Sequence, residues 1–389
     1  MGKWKEVKVE DIAKKIQYGY TGKTIKKGDY RYLRITDIQN QSVNWSTVPI
    51  SDVSSGKDIE KYKLEINDIL FARTGATVGK SFLIEDTEPS IFASYLIRVQ
   101  PKEIVFPKYL YLYFQSESYW KQIRAHEIGA AQPNVNGKKL GMIKFPLPPL
   151  VEQQRIVTKL DTLFTDIDEA IRLLEENIAH TQALMGSVLD EEFGTKTPKH
   201  KLGEFDKIKA GGTPSRSNKS YWNGKIPWLT SRELNTHYIS ESVEKITEEG
   251  LNNSNAKIFT EGTLLCGMYD TAAMKMSILK IDATCNQAIV GIKPKEDILN
   301  VEFLKFQLEF QKPEIMRSRR GVRQKNLNAT MIKDLNIWVP ALKEQNMIVQ
   351  KINKSNKLNE KLIQVHIQKL THLKSLKSSL LDQAFKGEL

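Results

Sequence analysis

The sequence predicts an α+β protein. Two similar mixed α/β domains are joined by two long antiparallel coiled-coil helices, and the halves form a pseudo-twofold internal repeat. The first observation behind this is self-similarity: residues 129–193 align with residues 321–385 at a constant offset of 192 without a gap, and 18 of those 65 positions are identical. Among the identities are Gly129/Gly321, Gln132/Gln324, Asn134/Asn326, Asn136/Asn328, Pro148/Pro340, Leu150/Leu342, Glu152/Glu344, Gln153/Gln345 and Phe193/Phe385. Two copies at so long a period mean two copies of one structural unit, not a solenoid. A second observation is helical periodicity. Ile156, Leu160, Leu163, Ile167, Ala170, Leu174, Ile178, Met185 and Val188 recur mostly at alternating spacings of three and four. Ile348, Ile352, Leu358, Leu362, Val365, Leu373, Leu376 and Leu380 do nearly the same, as the seam of a coiled coil does. Third, short β-branched and aromatic runs precede each helix.

The first domain is expected over residues 1–147. Ile69-Leu70-Phe71, Phe82-Leu83-Ile84 and Tyr95-Leu96-Ile97-Arg98-Val99 read as strands. Leu110, Leu112, Tyr113, Tyr119, Trp120 and Ile123 predict one helix from Tyr109 to Ile123. Pro146, Pro148 and Pro149 close the domain. The first spacer helix follows over 148–193, with Glu152 in its first turn where the helix dipole favours an acid. The second domain, 194–339, repeats the order: Thr263-Leu264-Leu265 as a strand, then a helix from Val301 to about Phe310. The second spacer, 340–389, carries Glu344 in its first turn. The link Gly194 to Lys201 is short, so the first helix delivers the chain to the second domain. The second helix, leaving by the same geometry, must run back antiparallel.

A length of 389 residues suits two or three domains, and 40% hydrophobic residues suits a buried core. The net charge of +12 points to an anionic partner, either nucleic acid or an acidic membrane surface. A basic but inert surface is the plain alternative. Two cysteines, Cys266 and Cys285, exclude a disulfide framework and point to a reducing compartment. The N-terminus does not read as a secretory signal, and no 18-residue apolar window spans a membrane. A cytoplasmic location is expected.

The chemical motifs fail on inspection. Gly75-Ala76-Thr77-Val78-Gly79-Lys80-Ser81 resembles a phosphate loop but has Thr74 where the first glycine is needed. The matching stretch of the second half, Asp270 to Lys275, has no glycine, so the glycines are assigned to a tight turn between strands. His180 and His372 are equivalent but lack nearby Cys or His partners, so no metal ligands are expected. No Asn/Asp-Pro-Pro-aromatic motif or Gly-rich cofactor loop marks a methyltransferase, and no catalytic residue is expected. The positive signal is basic clustering, often beside Gly, Ser, Asn or Gln, a mixture that holds phosphates and reads base edges. Candidate DNA contacts in the first half are Lys23, Lys26, Lys27, Arg31, Arg34, Arg73, Lys80, Arg124 and Lys138. In the second half they are Arg216, Asn218, Lys219, Arg232, Lys275, Arg317, Arg319, Arg320, Arg323 and Lys325.

Several stretches carry a family resemblance. They are Pro148-Pro149-Leu150-Val151-Glu152-Gln153-Gln154-Arg155-Ile156-Val157, its echo Pro340-Ala341-Leu342-Lys343-Glu344-Gln345, and the closing Leu380 to Leu389. Gly211-Gly212-Thr213-Pro214-Ser215-Arg216, with Tyr221-Trp222-Asn223-Gly224 and Ile226-Pro227-Trp228, adds to them. Together they resemble the specificity subunit of Type I restriction–modification systems over the whole chain. The first domain's Gly19-Tyr20-Thr21-Gly22-Lys23 departs from the second-domain pattern. The resemblance implies two target recognition domains, each reading one part of a bipartite double-stranded DNA site, with the helices setting the gap. It implies docking of two modification (methyltransferase) subunits on the helices, with Glu152, Gln153, Ile156 and Leu160, and Glu344, Gln345, Ile348 and Ile352, as spacer and docking residues. Restriction/translocase subunits would join that core. S-adenosylmethionine, ATP and Mg would belong to the partners and not to this chain. A fused enzyme half that keeps some chemistry, and a coiled-coil adaptor that binds only protein, are the rival readings.

Overall fold

A computed structural model describes residues 4–39, 41–53, 59–125, 134–318 and 326–389. The chain packs into two compact units: unit 1 is Met1–Glu175 with Ile367–Leu389, and unit 2 is Glu176–His366.

Unit 1 contains β1 (Glu6–Lys8), β2 (Ala13–Tyr18), β3 (Arg31–Leu33), β4 (Ile50–Ser51), β5 (Ile69–Ala72), β6 (Ser81–Leu83), β7 (Ser90–Phe92), β8 (Leu96–Pro101) and β9 (Lys144–Pro146). One antiparallel sheet has the order β2-β8-β5-β6. In a second sheet β3 lies between β7, its parallel partner, and β4, its antiparallel one. Strands β1 and β9 form a ribbon. The predicted strands are therefore present, with ends displaced by at most two residues. The predicted helix Tyr109–Ile123 is two helices, α1 (Pro107–Tyr113) and α2 (Glu117–Ala125). Ser116 makes the break: its hydroxyl donates to Tyr113 O at 2.7 Å and accepts from Tyr119 N at 3.3 Å, competing with the helix ladder. The first long helix is α3 (Leu150–Phe193).

Unit 2 repeats the plan with β10 (His200–Lys201), β11 (Asp206–Ala210), β12 (Trp222–Leu229), β13 (Glu244–Ile246), β14 (Leu264–Gly267), β15 (Met276–Leu279), β16 (Thr284–Cys285), β17 (Ile289–Pro294) and β18 (Asn336–Ile337). Its sheets read β11-β17-β14-β15, with Tyr238–Ile239 beyond β15, and β13-β12-β16, with β12 and β16 parallel. Strands β10 and β18 form the ribbon. Helix α4 (Val301–Ser318) runs past the expected end near Phe310, with Pro313 inside it. The second long helix is α5 (Leu342–Lys386).

The structure explains several identities of the repeat. Asn136 and Asn328 are N-caps, accepting from Lys139 N at 2.8 Å and Met331 N at 2.9 Å. Gln153 and Gln345 are fully buried. Gln153 accepts from Phe106 N at 2.7 Å and donates to Pro148 O and Ile104 O; Gln345 accepts from Asn300 N at 2.8 Å and donates to Pro340 O and Ile298 O. Each glutamine thus ties the start of a long helix to the start of its domain helix. Phe385 packs on Tyr109 and Tyr113 in unit 1, and Phe193 on Phe303 and Phe310 in unit 2.

Within each unit the two long helices run antiparallel. In unit 1, Arg155 donates to Leu389 O and Lys377 pairs with Asp168 at 2.7 Å. In unit 2, Lys351 pairs with Glu191 and Glu192, and Asn359 donates to Thr181 O. The seam on α5 differs from the expected one: Leu358, Leu362, Val365 and Leu376 are exposed. The less exposed positions are Ile352, Asn356, Asn359, Ile363, His366, Leu370, Leu373, Lys377, Leu380 and Ala384, again spaced by four and three. Polar residues at four of these positions hide the period from a hydrophobicity reading.

Candidate nucleic-acid interface

In both units a chain crossing lies where the two sheets meet. The residue that leads out of β2, Gly19, passes under the turn after β7 so closely that a Cβ on it would lie 2.2 Å from Ala93 O. Gly211, leading out of β11, does the same beneath the turn after β16: a Cβ there would lie 2.3 Å from Cys285 O. Only glycine fits either place. The backbone bonds match one for one. Gly19 N and Tyr20 N donate to Leu96 O and Phe92 O; Gly211 N and Gly212 N donate to Ile289 O and Cys285 O. The turns match too: Ala93 N to Leu33 O and Arg73 N to Tyr95 O in unit 1, Asn286 N to Leu229 O and Met268 N to Ala288 O in unit 2. An aromatic from the same strand position locks each crossing. The Tyr32 hydroxyl donates to Tyr20 O at 2.8 Å, and Trp228 Nε1 donates to Gly212 O at 3.0 Å. Gly19-Tyr20 is therefore the structural counterpart of Gly211-Gly212, although the surrounding sequences differ.

The hairpin beside each crossing is also shared. Ala72 N donates to Lys80 O and Gly79 N to Ala72 O; Gly267 N donates to Lys275 O and Met274 N to Gly267 O. Gly79 has φ +79° and Met274 φ +57°, so the left-handed residue of the turn is kept without its glycine. The apparent phosphate loop is this strand-to-strand turn, as expected.

The basic candidates divide into three sets. Arg31 is tied to Glu88 and Val48 O, Arg34 to Asp37, and Arg124 to Glu117. Each of these three arginines thus has an acidic partner within unit 1. The Asp37 carboxylate beside Arg34 and the Glu244 carboxylate beside Arg216 raise both guanidinium pKa values further, through hydrogen bonds first. A second set gathers near the crossings. Arg216 lies 3.7 Å from the Trp222 ring centre and 4.9 Å from that of Trp228, and it pairs with Glu244. It lines a cavity of about 660 Å³ with Thr213, exposed Arg232, Asn286 and Gln287. Lys275 donates to the Asn235 side chain, which donates to Arg232 O. In unit 1, the Arg73 guanidinium lies 4.9 Å from the Tyr18 ring centre, and exposed Lys80 lines a cavity of about 440 Å³ with Thr36, Gln39 and Gln41. Lys138 is exposed beside Gly137, whose N–H donates to the Tyr18 hydroxyl. A third set stands apart. Lys23, Lys26 and Lys27 are exposed around the edge strand Thr24–Ile25, Lys219 is exposed where Asn218 caps a short turn, and Arg317 is exposed at the end of α4. Arg319, Arg320, Arg323 and Lys325 lie outside the described residues.

The helix residues expected to dock partners need correction. Gln153, Ile156, Leu160, Gln345, Ile348 and Ile352 are buried in the cores of their own units and offer no free surface. Glu152 pairs with Arg155, and Glu344 is exposed. Sequence reasoning also missed Tyr95, which is 64% exposed, and Gln287, which is exposed and accepts from the Thr213 hydroxyl. No motif marks them, because the turn that carries them is defined by backbone bonds. Among the described residues, no group of three or more His, Cys, Asp or Glu side chains could hold a metal ion, and no helix is long and apolar enough to cross a membrane.

The profile of a family described as the Type I restriction modification DNA specificity domain matches residues 1–176 and again 197–372. The chain is 25% identical over 214 residues to the Escherichia coli type I restriction enzyme EcoR124I/EcoR124II specificity subunit, a match spanning 54% of this chain and 52% of that one. It is 22% identical over 415 residues to the putative type I restriction enzyme MjaX specificity subunit of Methanocaldococcus jannaschii, covering 99% and 93%. Among solved structures, a chain from a type I R-M system superposes with a TM-score of 0.81 at 20% identity, covering 99% of this chain and 98% of that one. The HsdS subunit from Thermoanaerobacter tengcongensis gives 0.62 at 19% identity, covering 99% and 97%.

Proposed function

Because this chain belongs to the Type I restriction modification DNA specificity domain family and carries two copies of the domain, we propose that its two units each read one part of a bipartite, asymmetric double-stranded DNA sequence. The chain is a specificity subunit of a Type I restriction–modification system. In this reading it works in the cytoplasm in complex with two modification subunits and with restriction/translocase subunits. S-adenosylmethionine, ATP and Mg belong to those partners, and this chain supplies recognition without catalysis. The helices that link the units set the number of base pairs between the two parts.

One observation carries the proposal. The two crossings share their backbone hydrogen bonds, while their side chains differ: Tyr20, Tyr32, Ser94 and Tyr95 against Gly212, Trp228, Gln287 and Ala288. A rigid scaffold with exchanged surface chemistry fits two readers of different base sequences. The test is to replace residues 197–339 with the corresponding domain of another family member and sequence methylated DNA from cells carrying the complex. One part of the methylated sequence should change while the other stays. A change in neither part, or in both, would refute the division of labour.

A further inference from the structure

We propose that the turns over the two crossings are where bases are chosen, with Tyr95 in unit 1 and Gln287 in unit 2 touching base edges in the major groove. The inference rests on the reading of each unit as a DNA reader and names the side chains that do the reading.

The backbone of each turn is held on all sides. The strand on one flank accepts from Ala93 N or Asn286 N, and the hairpin donates to Tyr95 O or Ala288 O. A turn closed on itself follows, Leu96 N to Ala93 O and Ile289 N to Asn286 O. Beneath, the crossing glycine leaves no room for displacement. A loop so held loses little freedom when a ligand binds, which is the condition for precise polar recognition. The side chains at its tip take no part in that backbone frame: Tyr95 is 64% exposed, and the Gln287 side chain is exposed.

The chemistry around each tip suits a duplex. In unit 2, Thr213, Arg232, Asn286 and Gln287 face one cavity of about 660 Å³. The Thr213 hydroxyl donates to the Gln287 carboxamide oxygen and fixes the orientation of the amide. An oriented glutamine amide pairs in bidentate fashion with the N6 and N7 edge of adenine, while a nearby guanidinium takes a phosphate. In unit 1 the Tyr95 backbone is bonded to Arg73, and the hairpin that starts there ends at exposed Lys80. A tyrosine ring beside basic residues meets a thymine methyl through its face and a base acceptor through its hydroxyl.

The test reads methylated DNA from cells carrying the complete complex. Gln287→Ala should relax one position of the part read by unit 2, an adenine, by roughly 10- to 100-fold in discrimination. The part read by unit 1 should stay unchanged. Tyr95→Ala should relax one position of the other part only. Thr213→Val, which frees the Gln287 amide without removing it, should relax the same position as Gln287→Ala by a smaller factor, and it keeps the test open if Gln287→Ala fails to fold. An unchanged methylated sequence in all three variants overturns the inference. So does an equal loss of methylation at every site, which would make the turns general contacts. Exchange of residues 197–339 separates the two levels. If that exchange alters one part while the point variants alter nothing, the inference falls and the reading of the units stands. If neither does anything, both fall.

Discussion

Arg98 stands in the middle of β8, opposite Leu70 on one side and Gln17 on the other. Its guanidinium pairs with Asp68 at 3.2 Å, donates to Lys61 O at 2.8 Å and to Gln17 Oε1 at 2.9 Å, and both charged side chains are 3% exposed. The equivalent residue in unit 2 is Gly291, opposite Leu265 and Lys209; a Cβ there would lie 2.2 Å from the Phe259 ring. One unit thus fixes the segment over this strand with a buried ion pair, the other with an inserted ring. Arg98→Met leaves Asp68 buried without its partner and should destabilise unit 1 by about 3–5 kcal/mol. Adding Asp68→Leu should recover most of that loss, because an apolar pair of similar volume replaces a buried ion pair at little cost. Gly291→Ala should cost unit 2 about 1–3 kcal/mol through overpacking. Urea unfolding of the variants measures each term; a double variant no better than Arg98→Met would mean that the bonds to Lys61 O and Gln17 matter more than the charge of Asp68. Neither residue was marked in the sequence. A single arginine in a strand reads as surface, and its partners are at least 30 residues away in the chain.

At the scale of elements, the sequence was legible where one property set the outcome. The strands around Leu70, Leu83 and Ile97 appeared because their residues are β-branched or aromatic and bounded by turn formers. Both long helices appeared because their apolar period persists. Legibility failed where a polar group decides. Ser116 splits a helix that apolar spacing shows as continuous. Asn359, half of a buried pair with Thr181, sits on the seam that Leu358 was expected to occupy. The interface was partly legible: the sequence marks Arg216 and Arg232, which share a cavity, but it does not show that Arg31, Arg34, Arg124 and Arg216 itself are each paired to an acid. The end of α5 offers a test at this scale. Leu381, Ala384 and Phe385 belong to the core of unit 1, with Phe385 ring-packed on Tyr109 and Tyr113 of α1. Phe385→Ala should cost about 3–5 kcal/mol. The increase in amide hydrogen exchange should concentrate in α1, α2 and the last turns of α5, while α4 keeps its protection. Uniform exchange across both units would show that they unfold as one body.

At the scale of the whole chain, unit 1 is built from two separate pieces of sequence and unit 2 from the stretch between them. Unit 1 closes with Ile367–Leu389, and unit 2 lies between Glu176 and His366, so both long helices change unit near their middles. The contacts on either side of those points are internal to a unit: Asp168–Lys377 and Arg155–Leu389 in unit 1, Thr181–Asn359 and Glu191–Lys351 in unit 2. Four residues added after Glu175 together with four after His366 therefore preserve every one of these pairings. Each helix lengthens by roughly 6 Å, and four residues are close to a full turn, so the seam rotates only about 40°. If the helices set the interval between the two parts of the DNA sequence, that extension corresponds to nearly two base pairs at ~3.4 Å each. The doubly extended chain should methylate the same two parts with a wider interval, read by sequencing methylated DNA from cells that carry it. A single insertion, in α3 alone, misaligns the antiparallel partners and should lower methylation without defining a new interval. An unchanged interval in the doubly extended chain would mean that the partner subunits position the units, and that the length of the helices matters only for their packing.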